Sequence, residues 1–242
     1  MTKPQEVPDF LAMFRKVFAH EVPEELPPVR KIMHRIILID KTKLLKTPTF
    51  KERQALMFKS KAWINKQMNA GILHRTSVSG GARMFVEAKS DGRIRPLVDF
   101  CFRNDNTQAD HTQIPEQNTI LNVVARGRIC SKTNLSDAYF QTRVHPDDVK
   151  YNTIKTLFGG FTSKLMMQGD MNAPGTLVRA MEDVFHDELG KNIWVYIDDI
   201  FVFSDTFEEH VKDVTNACSS CRTLAIMPTQ ERGFSLPQSS IS

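Results

Sequence analysis

The sequence predicts an α+β fold. Short apolar runs with a two-residue alternation, typical of strands, stand between longer segments in which apolar residues recur at helical spacing. These strands and helices interleave without the regular strand–helix–strand repeat of a doubly wound sheet. With 242 residues, 41% of them hydrophobic, the chain is long enough to bury a sizeable core.

The predicted elements follow one another with recognisable boundaries. In chain order they are a strand at 34–40, a helix at 51–70, a hairpin at 83–100, an amphipathic helix at 172–192, a hairpin at 193–203 and a helix from 206 onward. Gly71 is a typical helix stop, and Asp91-Gly92 is a favoured hairpin turn. Thr206 with Glu209 forms a capping box.

The two ends of the chain lack such patterns. Residues 1–28 are polar and rich in Pro and Glu, which predicts a loosely ordered leader. Residues 225–242 contain Pro and Ser without any period, which predicts a disordered tail.

Composition narrows the class of protein. No run of 18 apolar residues occurs, and the start has no secretory pattern, so we expect an intracellular protein that does not span a membrane. Four cysteines are too few and too scattered for a disulfide scaffold. Cys218 and Cys221 form a CxxC pair, which we interpret as two small apolar residues on a helix face, with a metal role as the alternative.

Positive charge is concentrated near the beginning of the chain. Ten Lys or Arg residues stand between Arg30 and Lys61, against Asp40 and Glu52 alone. Such an excess attracts a phosphate backbone, although a solvated surface accounts for it equally well. The net charge of +4 for the whole chain is modest.

The hairpin at 193–203 carries two adjacent carboxylates, Asp198 and Asp199, between its apolar runs. One interpretation is a plain two-residue turn, although Asp-Asp places two like charges side by side. The other is a site for a divalent cation, since magnesium prefers hard oxygen ligands such as carboxylates. The residues alone leave both interpretations open.

Several ordered blocks resemble one protein family. They are "LHRTSVSGGARMFVEAKSDGRIRPLVDF", "NLSDAYFQTRVHPDDVKYNTIKT", "MQGDMNAP" and "VYIDDIFVFSDTFEEHV". Together they resemble the reverse transcriptase domain of gypsy-type LTR retrotransposons over residues 19–218. The resemblance implies a fold of fingers and palm, with a mixed, largely antiparallel palm sheet that carries the active site.

The resemblance also implies a chemistry and its partners. In this family two Mg²⁺ ions, about 3.5–4 Å apart, clamp the attacking and leaving oxygens as a primer 3′-hydroxyl attacks a deoxynucleotide. Asp198 and Asp199 match two of the three carboxylates that hold these ions. The implied partners are a primer–template of RNA or DNA and deoxynucleotides.

Nucleotide-binding positions carry over one at a time. Two cations match those that grip the triphosphate, four residues of the "SDAYF" turn match the phosphate and sugar pocket, and one glutamine matches a nucleotide contact. These residues are Lys89, Arg95, Asp137, Ala138, Tyr139, Phe140 and Gln168. Taken alone, the cations are explained equally well as solvated strand residues, and Tyr139 as a core residue.

One catalytic position departs from the family pattern. Asn134 stands where the family has its first catalytic Asp, so we expect it on a strand adjacent to Asp198, with converging side chains. Its amide oxygen brings no negative charge, and we therefore predict that this copy is inactive or severely impaired. Asp137 lies three residues further on, in the turn, and is expected to point elsewhere.

The resemblance suggests a division of the chain. Fingers are predicted at 29–108 and 142–172, and palm at 109–141 and 173–224, with the thumb and RNase H missing. A non-catalytic nucleic-acid-binding remnant that uses the basic 30–61 region is the alternative function. A translated relic without a role is a third.

Overall fold

The computed structural model describes residues 25–43, 54–88, 94–135 and 137–223, which divide between two compact units. The first, here the three-stranded unit, contains Thr112–Ala138 and the described residues from Leu177 onward. The second, the five-stranded unit, contains the described residues up to His111 together with Tyr139–Thr176. The predicted 1–28 leader lies almost wholly outside the described residues, and the 225–242 tail entirely so.

Helices and strands interleave as the sequence predicts. The described helices are α1 (Gln54–Asn69), α2 (Cys101–Asn104), α3 (Gln117–Val124), α4 (Ala173–Val184) and α5 (Phe207–Thr223). The described strands are β1 (Leu73–Arg75), β2 (Ala82–Ala88), β3 (Ile94–Asp99), β4 (Ile129–Asn134), β5 (Thr153–Thr156), β6 (Gly159–Ser163), β7 (Ile193–Tyr196) and β8 (Asp199–Ser204). The α+β class is confirmed. None of these described helices combines the length and the apolar character needed to cross a membrane.

The five-stranded unit is built on a mixed sheet in the order β1-β6-β5-β2-β3. β2 pairs with β5 in parallel, and the other pairs are antiparallel. Its buried core includes Ile64 of α1 with Ile154 and Phe161 of the sheet, each at most 2% exposed. β2 and β3 form the predicted hairpin, whose Asp91-Gly92 turn lies outside the described residues.

α1 ends as the sequence predicts. Gly71 has φ +69°, its N–H donates to the Met68 carbonyl, and the N–H of Ile72 donates to the Gln67 carbonyl. This pair of bonds is the Schellman motif, in which glycine supplies the left-handed conformation. The predicted Gly71 stop is therefore confirmed.

The predicted strand at 34–40 is wrong. The segment makes only isolated bridges, His34 with Val144 and Leu38 with Thr107. Its backbone therefore changes partner within a few residues, and no continuous ladder forms. Buried and exposed residues alternate at its start, with His34 and Ile36 at 1% and 2% exposure, without membership of a sheet.

The amphipathic helix predicted at 172–192 is shorter than expected. α4 ends at Val184, and the following residues form turns closed by hydrogen bonds to the Phe185 carbonyl. Phe185 is still fully buried, so the apolar stripe continues beyond the helix.

The three-stranded unit contains an antiparallel sheet in the order β4-β8-β7. On one face Phe201 packs with Ile120 and Val124 of α3. α5 packs against β8 and carries Cys218 and Cys221, which are buried as the helix-face interpretation predicts. Burial raises the pKa of each thiol to about 12, so both are neutral at physiological pH.

Candidate active site

The hairpin of β7 and β8 turns at Ile197-Asp198. Tyr196 pairs with Asp199 across the two strands, so Asp199 is the first residue of β8 rather than part of the turn. The expectation that both aspartates form the turn is wrong by one residue. The observed register keeps Ile200 and Val202 on a buried face, at 1% and 2% exposure, which a one-residue slip would reverse.

The turn holds an unusual backbone conformation at Ile197. Its φ is +55°, a region that a β-branched side chain seldom occupies outside turns or strained sites. Two-residue hairpin turns require positive φ, which Gly or Asn usually supplies. Backbone strain of this kind costs about 1–3 kcal/mol and persists where the surrounding structure fixes it, often at functional sites.

Asn134 stands beside this turn, at the end of β4. It pairs in register with Asp199, and the next residue, Leu135, donates its N–H to the Asp198 carbonyl at 2.8 Å. Directly opposed residues of an antiparallel pair project from the same face, with Cβ atoms about 4.5–5.5 Å apart. The backbone therefore brings the Asn134 amide next to the Asp199 carboxylate, with Asp198 one residue away in the turn.

Lys132 completes this group. It lies two residues before Asn134, so both project from the same face of β4. Its Nζ is 2.7 Å from Oδ2 of Asp199, and the two side chains are 38% and 24% exposed. Lys132 was not among the predicted site residues, although its two-residue offset from Asn134 on a predicted strand was a usable signal.

The residues present do not fit a site for two dications. Asp198 and Asp199 supply two carboxylates, Asn134 supplies a neutral oxygen, and the Lys132 ammonium already contacts Asp199. Across the described part of the chain, no three His, Cys, Asp or Glu residues are grouped so as to hold a metal ion. Two magnesium ions carry four positive charges, against two carboxylates here, one of which already contacts an ammonium.

The sequence of these elements matches one family model. The model of the reverse transcriptase (RNA-dependent DNA polymerase) family matches residues 87–226, which is more than half of the chain. The chain belongs to the reverse transcriptase family. The match includes Asn134, Asp198 and Asp199.

Retroelement and viral polyproteins are relatives of this reverse transcriptase chain. It is 32% identical over 141 residues to Polyprotein P3 of Commelina yellow mottle virus, covering 57% of this chain and 7% of that protein. It is 30% identical over 156 residues to the retrovirus-related Pol polyprotein from transposon opus of Drosophila melanogaster, covering 62% and 16%. The chain thus spans less than a fifth of the length of these relatives.

The fold is that of a solved reverse transcriptase. The prototype foamy virus protease-reverse transcriptase superposes with a TM-score of 0.80 at 16% identity, covering 93% of this chain and 30% of that one. At 16% identity, this structural similarity shows a shared fold and nothing more. The predicted fingers-and-palm fold is confirmed.

The predicted nucleotide-binding residues of this reverse transcriptase divide between the two units. In the three-stranded unit, Asp137 is exposed with φ +44°, and Ala138 is buried at the start of a 3₁₀ turn, Ala138–Gln141. Neither residue belongs to the β4–β8 pairing that brings Asn134 next to Asp199. Their predicted roles stay predictions.

The other predicted positions lie in the five-stranded unit. Arg95 is exposed on β3 and stands opposite Glu87, while Lys89 lies outside the described residues. Phe140 meets Trp63 edge-on at 5.9 Å between ring centroids and packs against the core, and Tyr139 is half-buried. The core contact of Phe140 explains its apolar character without a ligand.

Gln168 sits on a turn that the five-stranded unit holds in place. Its carbonyl accepts a hydrogen bond from the N–H of Val98 at 3.3 Å. Gly169 follows with φ +107°, and a Cβ there would lie 2.1 Å from the Val98 carbonyl oxygen. Only glycine allows this approach, so the backbone beside Gln168 is fixed against β3.

A buried ionic network supports the same turn. Oδ2 of Asp170 accepts hydrogen bonds from the Arg103 guanidinium and, at 2.8 Å, from His34 Nε2. Burial alone would raise the pKa of Asp170, but the hydrogen bond from His34 and the charge of Arg103 hold it below its usual value. Burial lowers the pKa of Arg103 to about 10, so the guanidinium stays charged at physiological pH. No local pattern in the sequence revealed this network, because its members are far apart along the chain.

A second polar network lies on the opposite face of the three-stranded sheet from Lys132. His210 of α5 hydrogen-bonds Ser131 of β4 at 2.7 Å through Nε2 and Ser204 of β8 at 3.1 Å through Nδ1. The hydroxyl of Ser204 also donates to Asp213 at 2.7 Å. Burial lowers the pKa of His210, with Asp213 opposing part of that effect. The network joins α5 to the two strands that carry Asn134 and Asp199.

Proposed function

We propose that this chain is the fingers-and-palm part of a gypsy-type retrotransposon reverse transcriptase whose nucleotidyl-transfer step is lost or severely impaired. The similarity to the polyprotein of transposon opus supports a retroelement origin. The impairment rests on one observation, the pairing of Asn134 with Asp199 at the position where the family resemblance implies a third carboxylate.

The two compact units support the proposed division into fingers and palm. The chain passes from one unit to the other after His111, Ala138 and Thr176. The proposed boundaries fall after residues 108, 141 and 172, within a few residues of those changes. The five-stranded unit then corresponds to the fingers, and the three-stranded unit to the palm.

The charge at the candidate site explains the proposed defect. Transfer of a nucleotide develops negative charge at the α-phosphate, and a reverse transcriptase of this type stabilises it with cations held by carboxylates. Here Asp198 and Asp199 remain, but Asn134 contributes an uncharged amide. The proposed role of Arg95 and Gln168 in holding the nucleotide does not replace this missing charge.

The proposed substrate is a primer–template duplex. The foamy viral protease-reverse transcriptase has been solved in complex with double-stranded DNA and with an RNA/DNA hybrid. We extend this substrate class to the present chain because the fold is shared. Deoxynucleotides complete the proposed reaction.

Non-catalytic nucleic-acid binding is the second candidate, and the basic segment favours it. Six of its Lys and Arg side chains are exposed: Lys31, Arg35, Lys41, Lys43, Lys59 and Lys61. Asp40 is the one carboxylate of the segment within the described residues, and it hydrogen-bonds Thr42 in its own turn. Arg35 also pairs with Asp148 at 2.6 Å, so the proposal rests on the exposed lysines, which lie at a surface that a phosphate backbone can approach.

Binding and extension, measured on one labelled RNA/DNA primer–template, test both functions. We expect binding that weakens steeply with salt, because each neutralised phosphate releases counterions. Replacing Lys31, Lys41 and Lys43 by Gln should reduce the slope of log K against log salt by about 3. We expect no extension of the primer by the unmodified chain. An affinity that does not change with salt concentration would contradict the second function. Efficient primer extension by the unmodified chain would contradict the proposed impairment.

A further inference from the structure

We infer that Lys132 is a built-in counter-ion of Asp199, which a divalent cation must displace before it can bind at Asp198 and Asp199. This inference rests on the proposed function, because it concerns how the same group of carboxylates handles cations. It adds a determinant of cation affinity that lies on β4, two residues from Asn134.

Two contacts hold the Lys132 ammonium in place. Its Nζ is 2.7 Å from Oδ2 of Asp199, and it lies 5.3 Å from the ring centroid of Phe201. Phe201 is directly opposite Lys132 in the β4–β8 register, just as Asp199 is directly opposite Asn134. The register of β4 with β8 therefore places the Lys132 ammonium between the Asp199 carboxylate and the Phe201 ring.

The charges explain why such a counter-ion matters. Asp198 and Asp199 carry two negative charges on adjacent residues, and Lys132 offsets one of them. A dication bound to Asp199 would lie close to the ammonium, and the two positive charges would repel each other. Because Lys132 and Asp199 are both partly exposed, their pair is weak enough to open. Lys132 thus lowers cation affinity without closing the site.

Asn134 and Lys132 act on the same group of atoms. Asn134 brings no negative charge, and Lys132 brings a positive one, so both residues disfavour a dication at this group. Replacing Lys132 by Met removes the charge and keeps an unbranched apolar stem over Phe201. The combination of Lys132→Met with Asn134→Asp should bind cations more tightly than either single variant.

Manganese binding to the whole chain tests the inference without nucleic acid or nucleotide. Electron paramagnetic resonance of unbound Mn²⁺ gives the affinity of the unmodified chain, Lys132→Met and Lys212→Met. Lys212 is an exposed lysine of α5 in the same unit, and its variant is the matched control. We expect Lys132→Met to raise Mn²⁺ affinity about tenfold, since a positive charge near the dication is removed. The control should stay within about twofold of the unmodified chain, because it removes an exposed charge from α5, which packs on the opposite face of the sheet from Lys132.

An unchanged Mn²⁺ affinity in folded Lys132→Met would overturn the inference, as would an equal rise in Lys212→Met. Circular dichroism checks folding, and Lys132→Gln is measured as well, so that a poorly folded Met variant does not decide the result. The outcome is separate from that of the proposed function, which is decided by primer binding and extension. A chain that fails to bind primer–template can still show the Mn²⁺ effect, and the reverse also holds.

Discussion

Asn134 differs from an aspartate by one amide nitrogen in place of a carboxylate oxygen, so it keeps the shape of the side chain and loses its charge. The register of β4 with β8 is therefore intact around it. The interaction of unit charges about 4 Å apart is worth about 4 kcal/mol at an effective dielectric of 20. Under the proposed function, this single residue would therefore impair nucleotidyl transfer while the fold is preserved.

Gly169 gives the clearest residue-scale prediction for stability. Gly169→Ala should destabilise the five-stranded unit by about 3 kcal/mol or more, since its Cβ would lie 2.1 Å from a backbone oxygen at φ +107°. Gly71→Ala is the control, because Gly71 also has positive φ but nothing within 4 Å of a new Cβ. It should cost only about 1–2 kcal/mol. Urea denaturation measures both, and equal losses would contradict the close approach to Val98.

At the scale of elements, polar networks rather than apolar patterns fix the segments that carry predicted site residues. Asp170→Asn should cost about 3–5 kcal/mol, because the charge of Arg103 would be left buried without its partner. Asp187→Asn is the control, since the Asp187 side chain is 78% exposed. Chemical denaturation of both variants checks this. A loss below about 1 kcal/mol for Asp170→Asn would show that the ion pair is not structurally required.

The network around His210 predicts a pH dependence for the docking of α5. Burial depresses the pKa of His210 in the folded state, so the unfolded chain takes up its proton at higher pH. Stability from this group is fully present above pH 6.5 and is lost as the pH falls toward the folded-state pKa.

The free energy of unfolding, measured from pH 8 to pH 5, should therefore fall on the acid side, by at most about 1.4 kcal/mol per pH unit for this one proton. His210→Asn should reduce the acid loss, whereas His186→Asn, at a side chain that is 73% exposed, should not. The same acid slope in all three proteins would assign the loss to other groups.

The sequence predicted those helix and strand boundaries that are fixed by residues next to them in the chain. Gly71 marks the end of α1 through its own φ, and the apolar alternation around Asp199 predicted the hairpin to within one residue. The 34–40 segment was misassigned because its hydrogen-bond partners, near residues 106–108 and 143–145, are distant in the chain. Lys132 with Asp199 and Arg103 with Asp170 were missed for the same reason, since both are pairings across the fold.

At the scale of the whole molecule, the chain keeps a reverse transcriptase fold around a proposed catalytic group in which Asn134 replaces a carboxylate. Both sheets are complete enough to superpose on the foamy virus protein over 93% of this chain. The proposed loss of function is therefore chemical rather than a failure to fold. The basic segment and the two-unit architecture leave nucleic-acid binding as the activity we expect to persist.

Primer extension at saturating RNA template tests the central claim most directly. The proteins are the unmodified chain, Asn134→Asp, and Asn118→Asp, whose asparagine is exposed on α3 of the same unit. We expect no product above background from the unmodified chain or from Asn118→Asp. We expect measurable but incomplete recovery from Asn134→Asp, since several kcal/mol of restored charge stabilisation corresponds to a rate increase of about a hundredfold or more. Efficient extension by the unmodified chain, at the rate of Asn134→Asp, would contradict the claim that Asn134 disables this site.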